Sequence, residues 1–282
     1  MKLLSYIHEG VQSWGALVNG EIIDLRAASE GRYPSLRSAL AELRVDQIEA
    51  MAQAARPGVP PQEIQFLPVI PDAPRIFCVG LNYEEHRVEA RREKTAYPTI
   101  FMRCNSSQLG HRQPIIIPRE SANLDYEGEI AVIIGTGGRR IAEKDAWEHV
   151  AGYAPYNDGS IRDWQAHTTQ WTPGKNFPAT GGFGPWMATR TEIADGQELA
   201  LTTRLNGEVL QQATTAQLIF SIPELIAYIS VFTELEPGDV IVTGTPGGVG
   251  FKRQPPVFMR AGDVVEIEVG AVGTLINTVA AE

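Results

Sequence analysis

The sequence predicts an α+β fold in two parts: a small N-terminal α/β domain over residues 1–70, then a mixed β-roll or barrel-like domain over residues 71–282. Three observations lead there. The opening sets short strand-like runs before one helical stretch. Six prolines between residues 56 and 74 then forbid a continuous helix. The remainder is strand-rich, with only two helical interruptions.

Taken in order, LLSYIH, WGALVNG and EIIDL read as strands, and SLRSALAELRVDQIEAMAQAA as a helical stretch with apolar residues at three- and four-residue spacing. RPGVPPQEIQFLPVIPDAP reads as an extended connector. The strands of the second part are RIFCVGL, TIFMR, PIIIP, EIAVIIG, ELALTTRLNG, DVIVTG and DVVEIEVGAVGTLINTV. AEKDAWEHVAGY and TTAQLIFSIPELIAYISVFT read as helical, and the unbroken apolar run of the second suits a core helix. No repeat of fixed period and no low-complexity tract is present.

Composition bounds the function. With 282 residues, 43% of them hydrophobic, the chain can bury a substantial core. No apolar run is long enough to span a bilayer, and MKLLSYIHEG lacks the apolar region of a signal peptide, so the expected location is cytoplasmic. Cys78 and Cys104 stand far apart and read as buried free thiols, which gives no indication of redox chemistry. A net charge of -10 without a basic block repels nucleic acid and anionic membranes and favours a small-molecule partner.

LDYEGEIAVIIG carries the first chemical signal. As a strand with a two-residue period, it puts Asp125, Glu127 and Glu129 on one face, although the run into AVIIG is apolar enough for burial on both. An isolated E-x-E is usually a solvated face. Here a second acidic group follows in YNDGSIRDWQ, where Asp158 occupies an Asn-Asp-Gly turn. Converging carboxylates repel one another unless one takes a proton or a cation joins them. Oxygen ligands with no Cys or His nearby suit Mg²⁺ or Mn²⁺ better than zinc.

In this order, GLNYEEHRVE, DYEGEIAVIIG, YNDGSIRDWQ, GKNFPATGGFGPW, VTGTPGGVG and the closing AGDVVEIEV resemble the fumarylacetoacetate hydrolase superfamily over roughly residues 70–280. The resemblance implies a metal held by Glu127, Glu129 and Asp158, with Asp125 supporting them through hydrogen bonds. His86 and Glu89, three residues apart, share a face of a helical turn. The resemblance places them on a lid, where they activate water. It places Lys175 beside the metal, stabilising charge on a substrate oxygen. The resemblance also makes Thr245, in TGTPGGVG, a contact to a substrate carboxylate; that loop lacks the GK[ST] ending, so no nucleotide site is expected. Arg103 and Ser107 are further substrate-binding candidates; Arg103 has no assigned catalytic role, because many relatives carry Lys there. A homodimer is also implied.

The expected activity is metal-dependent hydrolysis of a carbon–carbon bond in a 2,4-dioxo acid of acylpyruvate or fumarylpyruvate type, giving pyruvate and a carboxylic acid. The same constellation permits oxaloacetate decarboxylation or tautomerisation or isomerisation of a 2-oxo acid. A non-catalytic metal-dependent binding protein would not need the His86 and Glu89 pair.

Overall fold

The computed structural model describes residues 1–56 and 58–282. The chain opens with strands β1 (Lys2–His8), β2 (Val11–Val18) and β3 (Glu21–Asp24), joined by tight hairpins. In both turns two successive residues have positive φ, Glu9–Gly10 and Asn19–Gly20, which matches the right-handed twist of the strands they join. Three helices follow: α1 (Leu25–Ala28), α2 (Leu36–Glu42) and α3 (Val45–Ala54). The expected single helical stretch is therefore broken at Leu43–Arg44, where the Gln47 side chain accepts the Arg44 N–H and starts a new helix.

The connector contributes β4 (Gln65–Phe66) and leads into β5 (Ile76–Gly80), α4 (Glu84–Glu89) and β6 (Thr99–Arg103). Short strands β7 (Gln108–Leu109), β8 (Ile115–Ile117) and β9 (Leu124–Asp125) precede the long pair β10 (Gly128–Ile134) and β11 (Val150–Asp158). Next come β12 (Ser160–Ile161), α5 (Arg162–Gln165), α6 (Thr172–Lys175), β13 (Gly181–Phe183) and β14 (Met187–Thr189). The chain closes with β15 (Ala200–Leu205), β16 (Glu208–Thr214), α7 (Ile222–Phe232), β17 (Val240–Val242), β18 (Val264–Val269) and β19 (Gly273–Ala281).

The two helical interruptions are shorter than expected. In AEKDAWEHVAGY only Glu143–His149 coils, as a 3₁₀ helix, and Val150 already belongs to β11. In TTAQLIFSIPELIAYISVFT the α-helix starts at Ile222, because Ser221 caps it, Glu224 accepts the Ser221 N–H, and Pro223 fits the first turn.

A twelve-stranded mixed sheet has the main path β3-β2-β1-β14-β11-β10-β17-β5-β6, with β17 and β5 parallel; β4 branches off it at β1, and β13 at β11 with β7 beyond it. A five-stranded sheet runs β16-β15-β18-β19-β8. Neither path closes on itself, so the architecture is an open mixed α/β assembly rather than a barrel. The period-two pattern explains the apolar runs of the large sheet. Ile130, Val132, Ile134, Phe77, Val79 and Ile241 enter one core, while Ala131, Ile133, Ile76, Cys78, Val240 and Val242 enter the other.

Helix residues Leu36, Ala39, Leu40, Ile48 and Ala52 pack in that second core, and β1 pairs with β14. Hydrogen bonds and packing therefore run continuously across the boundary expected near residue 70. Cys78 is buried as expected, whereas Cys104 is exposed, because it follows β6 at the end of the sheet path.

His111 ties the last strand to this frame. Its Nδ1 accepts the Ile276 N–H at 3.1 Å, and its ring meets Phe66 edge-on with centroids 4.9 Å apart. Burial, helped by nearby Arg112, pushes its pKa down from 6.5 to about 4. The folded protein thus binds this proton less readily than the unfolded chain, so the contribution is complete above pH 6.5 and is lost as pH falls towards 4. Between pH 7 and pH 5 this histidine costs about 2 kcal/mol. His111→Gln, which keeps an acceptor for Ile276, should show a smaller drop in denaturation midpoint over that interval. Identical drops in the two proteins would refute the assignment.

Candidate metal and catalytic site

The antiparallel register of β10 and β11 creates the acidic cluster. Gly128 lies opposite Asn157 and Glu129 opposite Tyr156, so Glu127 and Asp158 meet at the end of the ladder, where the Asp158 N–H donates to the Glu127 carbonyl at 2.8 Å. Asp158 is thus the last residue of a nine-residue strand and not a turn residue as expected. The residue between the two glutamates must be glycine. A Cβ on Gly128 would lie 2.0 Å from Thr203 Oγ1 on β15.

Glu127, Glu129 and Asp158 are all buried and each offers an oxygen within 4.8 Å of the others, a hard donor set that can hold a divalent ion. Lys175 Nζ lies 2.5 Å from both Glu127 Oε2 and Asp158 Oδ2. Glu129 Oε2 accepts the Gly244 N–H at 2.6 Å from the glycine-rich loop. Burial pushes the Glu129 carboxyl well above its usual range, and Asp158 and Glu127 push it further. Burial acts the same way on Glu127, but Arg162 and Lys175 outweigh it and hold this group below the usual range. Lys175 is held above its usual range because Asp158 and Glu127 outweigh its own burial.

Asp125 does not share a regular strand face with the glutamates, because the strand is interrupted at Tyr126 and Glu127. Its carboxylate accepts the N–H groups of Gly250 and Phe251 at 2.9 and 3.0 Å and meets Arg162 Nε at 2.8 Å. Arg162 Nη1 in turn lies 2.7 Å from Glu127 Oε1.

On α4, His86 Nδ1 lies 3.5 Å from Glu89 Oε2. Both Glu89 oxygens accept the Gly248 N–H, at 3.2 and 3.3 Å. His86 lines the same cavity as the carboxylates, and Glu89 stands behind it. Thr245 also lines the cavity, with its hydroxyl donating to the Gly128 carbonyl and accepting from Gln211.

Arg103 and Ser107, expected as substrate contacts, are buried outside the cavity wall. Arg103 grips the back of the cluster, 2.6 Å from Asp158 Oδ1 and 2.9 Å from the Gly159 carbonyl, and also donates to Thr180 and Ser107. The cavity adds residues that sequence reasoning passed over: Arg162, Gln165, Trp171, Phe251 and Lys252. Arg162 and Gln165 stand in YNDGSIRDWQ, the same segment that carries Asp158. Arg162 is buried beside the cavity, and among the described residues its Nη2 has no hydrogen-bond partner.

An acidic cluster on a two-sided buried sheet, crossed by a lysine and faced by a His–Glu pair, defines a class. Residues 75–280 match the fumarylacetoacetate (FAA) hydrolase C-terminal domain, and the chain belongs to the fumarylacetoacetate hydrolase family, whose members include hydrolases and isomerases or tautomerases. It is 38% identical over 281 residues to the mitochondrial oxaloacetate tautomerase FAHD2A of Bos taurus, covering 96% of this chain and 87% of that protein. The fumarylacetoacetate hydrolase of Exiguobacterium antarcticum superposes with a TM-score of 0.84 at 31% identity over 100% of both chains. A maleylpyruvate hydrolase of Sphingobium sp. SYK-6, solved with manganese(II) and pyruvate, superposes with a TM-score of 0.82 at 26% identity, covering 100% of this chain and 99% of that one.

Two outcomes follow from this geometry. Gly128→Ala should destabilise the protein by roughly 1–3 kcal/mol through overpacking, and Thr203→Ala should recover most of that loss, since the remaining contacts of the new Cβ are 3.2 Å or longer. Chemical denaturation of both single variants and the double variant reads the coupling, and strict additivity would disprove the contact. Glu127→Gln, Glu129→Gln and Asp158→Asn should each weaken Mg²⁺ and Mn²⁺ binding in calorimetry, because an amide is a poorer hard-cation ligand than a carboxylate. Unchanged affinity in all three would remove the metal from this site.

Proposed function

We propose that this protein is a divalent-metal-dependent enzyme that interconverts the enol and keto forms of oxaloacetate, with Glu127, Glu129 and Asp158 as the ligands of Mg²⁺ or Mn²⁺. The observation that carries this reading is His86, on the wall of the cavity that the acidic cluster floors, with Glu89 at its Nδ1. An imidazole so held leaves its second nitrogen for the substrate. The kinship with oxaloacetate tautomerases over nearly the whole chain supports it.

When bound, the ion supplies Lewis-acid polarisation of the 2-oxo group. The chain's own residues do the rest. Lys175, between Glu127 and Asp158, donates a hydrogen bond to the substrate's 2-oxygen as negative charge gathers there. In the enol-forming direction His86 takes a proton from carbon 3 and Lys175 gives one to the 2-oxygen, the two groups then exchanging protons with solvent; the keto-forming direction reverses both transfers, and Glu89 steadies the charged imidazole. The free Nη2 of Arg162 donates to a substrate oxygen, which satisfies a buried donor otherwise left alone. Trp171, Phe101 and Phe251 line the cavity with apolar surface and reduce access of water to the reacting carbon.

A second reading, cleavage of a 2,4-dioxo acid, is favoured by the same His86 and Glu89 pair, which suits activation of water as well as a proton shuttle. Oxaloacetate decarboxylation would use the ion and Lys175 without either residue.

The decisive assay follows the ultraviolet absorbance of enol-oxaloacetate beside pyruvate release from an acylpyruvate, both at saturating Mg²⁺. Tautomerisation should dominate, and His86→Ala should lower it by about 10²- to 10⁴-fold. Rapid pyruvate release with no acceleration of the enol–keto exchange would make hydrolysis the activity instead.

A further inference from the structure

The cavity has an acidic floor and a basic remainder. Against Glu127, Glu129 and Asp158 its lining sets Arg92, Arg162, Lys175 and Lys252. Lys175 and Arg162 are engaged by the floor carboxylates. Lys252 and Arg92 are different, since among the described residues neither forms an ion pair with a carboxylate.

Lys252 is also deliberately placed. It ends the 3₁₀ turn Gly250–Lys252, whose Gly250 and Phe251 N–H groups are held by the buried Asp125 carboxylate. Its Nζ lies 4.7 Å from the centre of the Phe251 ring, and the Arg162 guanidinium lies 4.2 Å from the same ring. One aromatic side chain thus links the cation beside the floor to a half-buried ammonium farther along the wall.

We propose that Lys252 determines specificity by binding the distal carboxylate of a dicarboxylic 2-oxo acid, with Arg92 reinforcing it from the segment after α4. The proposal rests on the reading above, in which the 2-oxo acid end of the substrate sits at the carboxylate cluster. With Arg162 and Lys175 held by buried carboxylates, Lys252 and Arg92 are the lining cations that no carboxylate among the described residues pairs, and a divalent ion would add to the positive field they leave. A monocarboxylate leaves much of this field uncompensated. A second carboxylate at the other end of a short chain compensates it where the unpaired cations stand.

The test compares oxaloacetate with 2-oxobutanoate, which has the same four-carbon chain and a methyl group in place of the distal carboxylate. Oxalate serves as a control that carries no distal group. Wild type, Lys252→Met and Lys252→Arg are measured with Mg²⁺, by calorimetry for binding and by the enol–keto assay for turnover. Wild type should bind oxaloacetate about tenfold or more tighter than 2-oxobutanoate. Lys252→Met should bring the two within about threefold, acting on KM for oxaloacetate rather than on kcat, and should leave oxalate binding as it was. Lys252→Arg should keep most of the preference. An unchanged preference in Lys252→Met, or equal loss of oxalate and oxaloacetate binding, would overturn the proposal. If wild type binds oxaloacetate preferentially but does not turn it over, the tautomerase reading fails while the subsite stands. If wild type binds none of the three acids, both fail together.

Discussion

Three carboxylates held within 4.8 Å of one another inside a protein form an arrangement that cannot exist without compensation. Much of the surrounding structure supplies it. Lys175 bridges two of the carboxylates, Arg162 holds Glu127 from the side, Arg103 holds Asp158 from behind, and a backbone N–H of the glycine loop meets Glu129. Asp125, a fourth buried acid, is neutralised by the same Arg162 and by two peptide N–H groups. The compensation is uneven, and that unevenness is chemically useful. Glu127 is kept ionised by its cations, whereas Glu129 is driven towards its protonated form by burial and by its acidic neighbours. A site that keeps one acid charged and forces another towards neutrality is set to gain from the arrival of a cation.

The sheet explains how such a cluster is assembled reliably. Burial on both faces fixes the register of β10, because a slip of one residue would exchange its two apolar sets between cores of different shape. Once that register is set, Glu127 and Asp158 are brought together by the ladder and need no loop to find each other. His86 and Glu89 arrive differently, on a short helix whose contact to the glycine loop runs through the Gly248 N–H. One half of the site is therefore built on a deep strand pair and the other on surface segments.

The legible parts of the sequence were those with a strong local pattern. Apolar strands such as Ile76–Gly80 and Thr99–Arg103 announce themselves by composition, and Glu127, Glu129 and Asp158 stood out as acids in places where acids are costly. Strand β11 was obscured because VAGYAPYND contains Gly, Pro, Asn and Asp, all poor strand formers, and follows a charged helical turn. Its pairing with β10, β13 and β14 overrides that local weakness. Arg103 was misplaced for a related reason: motif position does not reveal that its guanidinium points at the rear of Asp158. Lys252 carried no signal at all, since its place depends on Asp125, distant in sequence, holding the turn.

The close approach at Gly128 has a wider meaning. Where Thr203 meets the bare peptide between the two glutamates, the large sheet and the smaller one touch with only the threonine side chain as a spacer on one side and none on the other. Sliding one layer past the other would drag the carboxylates with it, so the floor is as stiff as the joint between the layers. Adaptation to a different acid must then occur in the segments that hang over this joint: the residues after α4, the glycine loop and the turn that follows it. A lineage could exchange those segments repeatedly and still inherit the same anvil on which its substrates are struck.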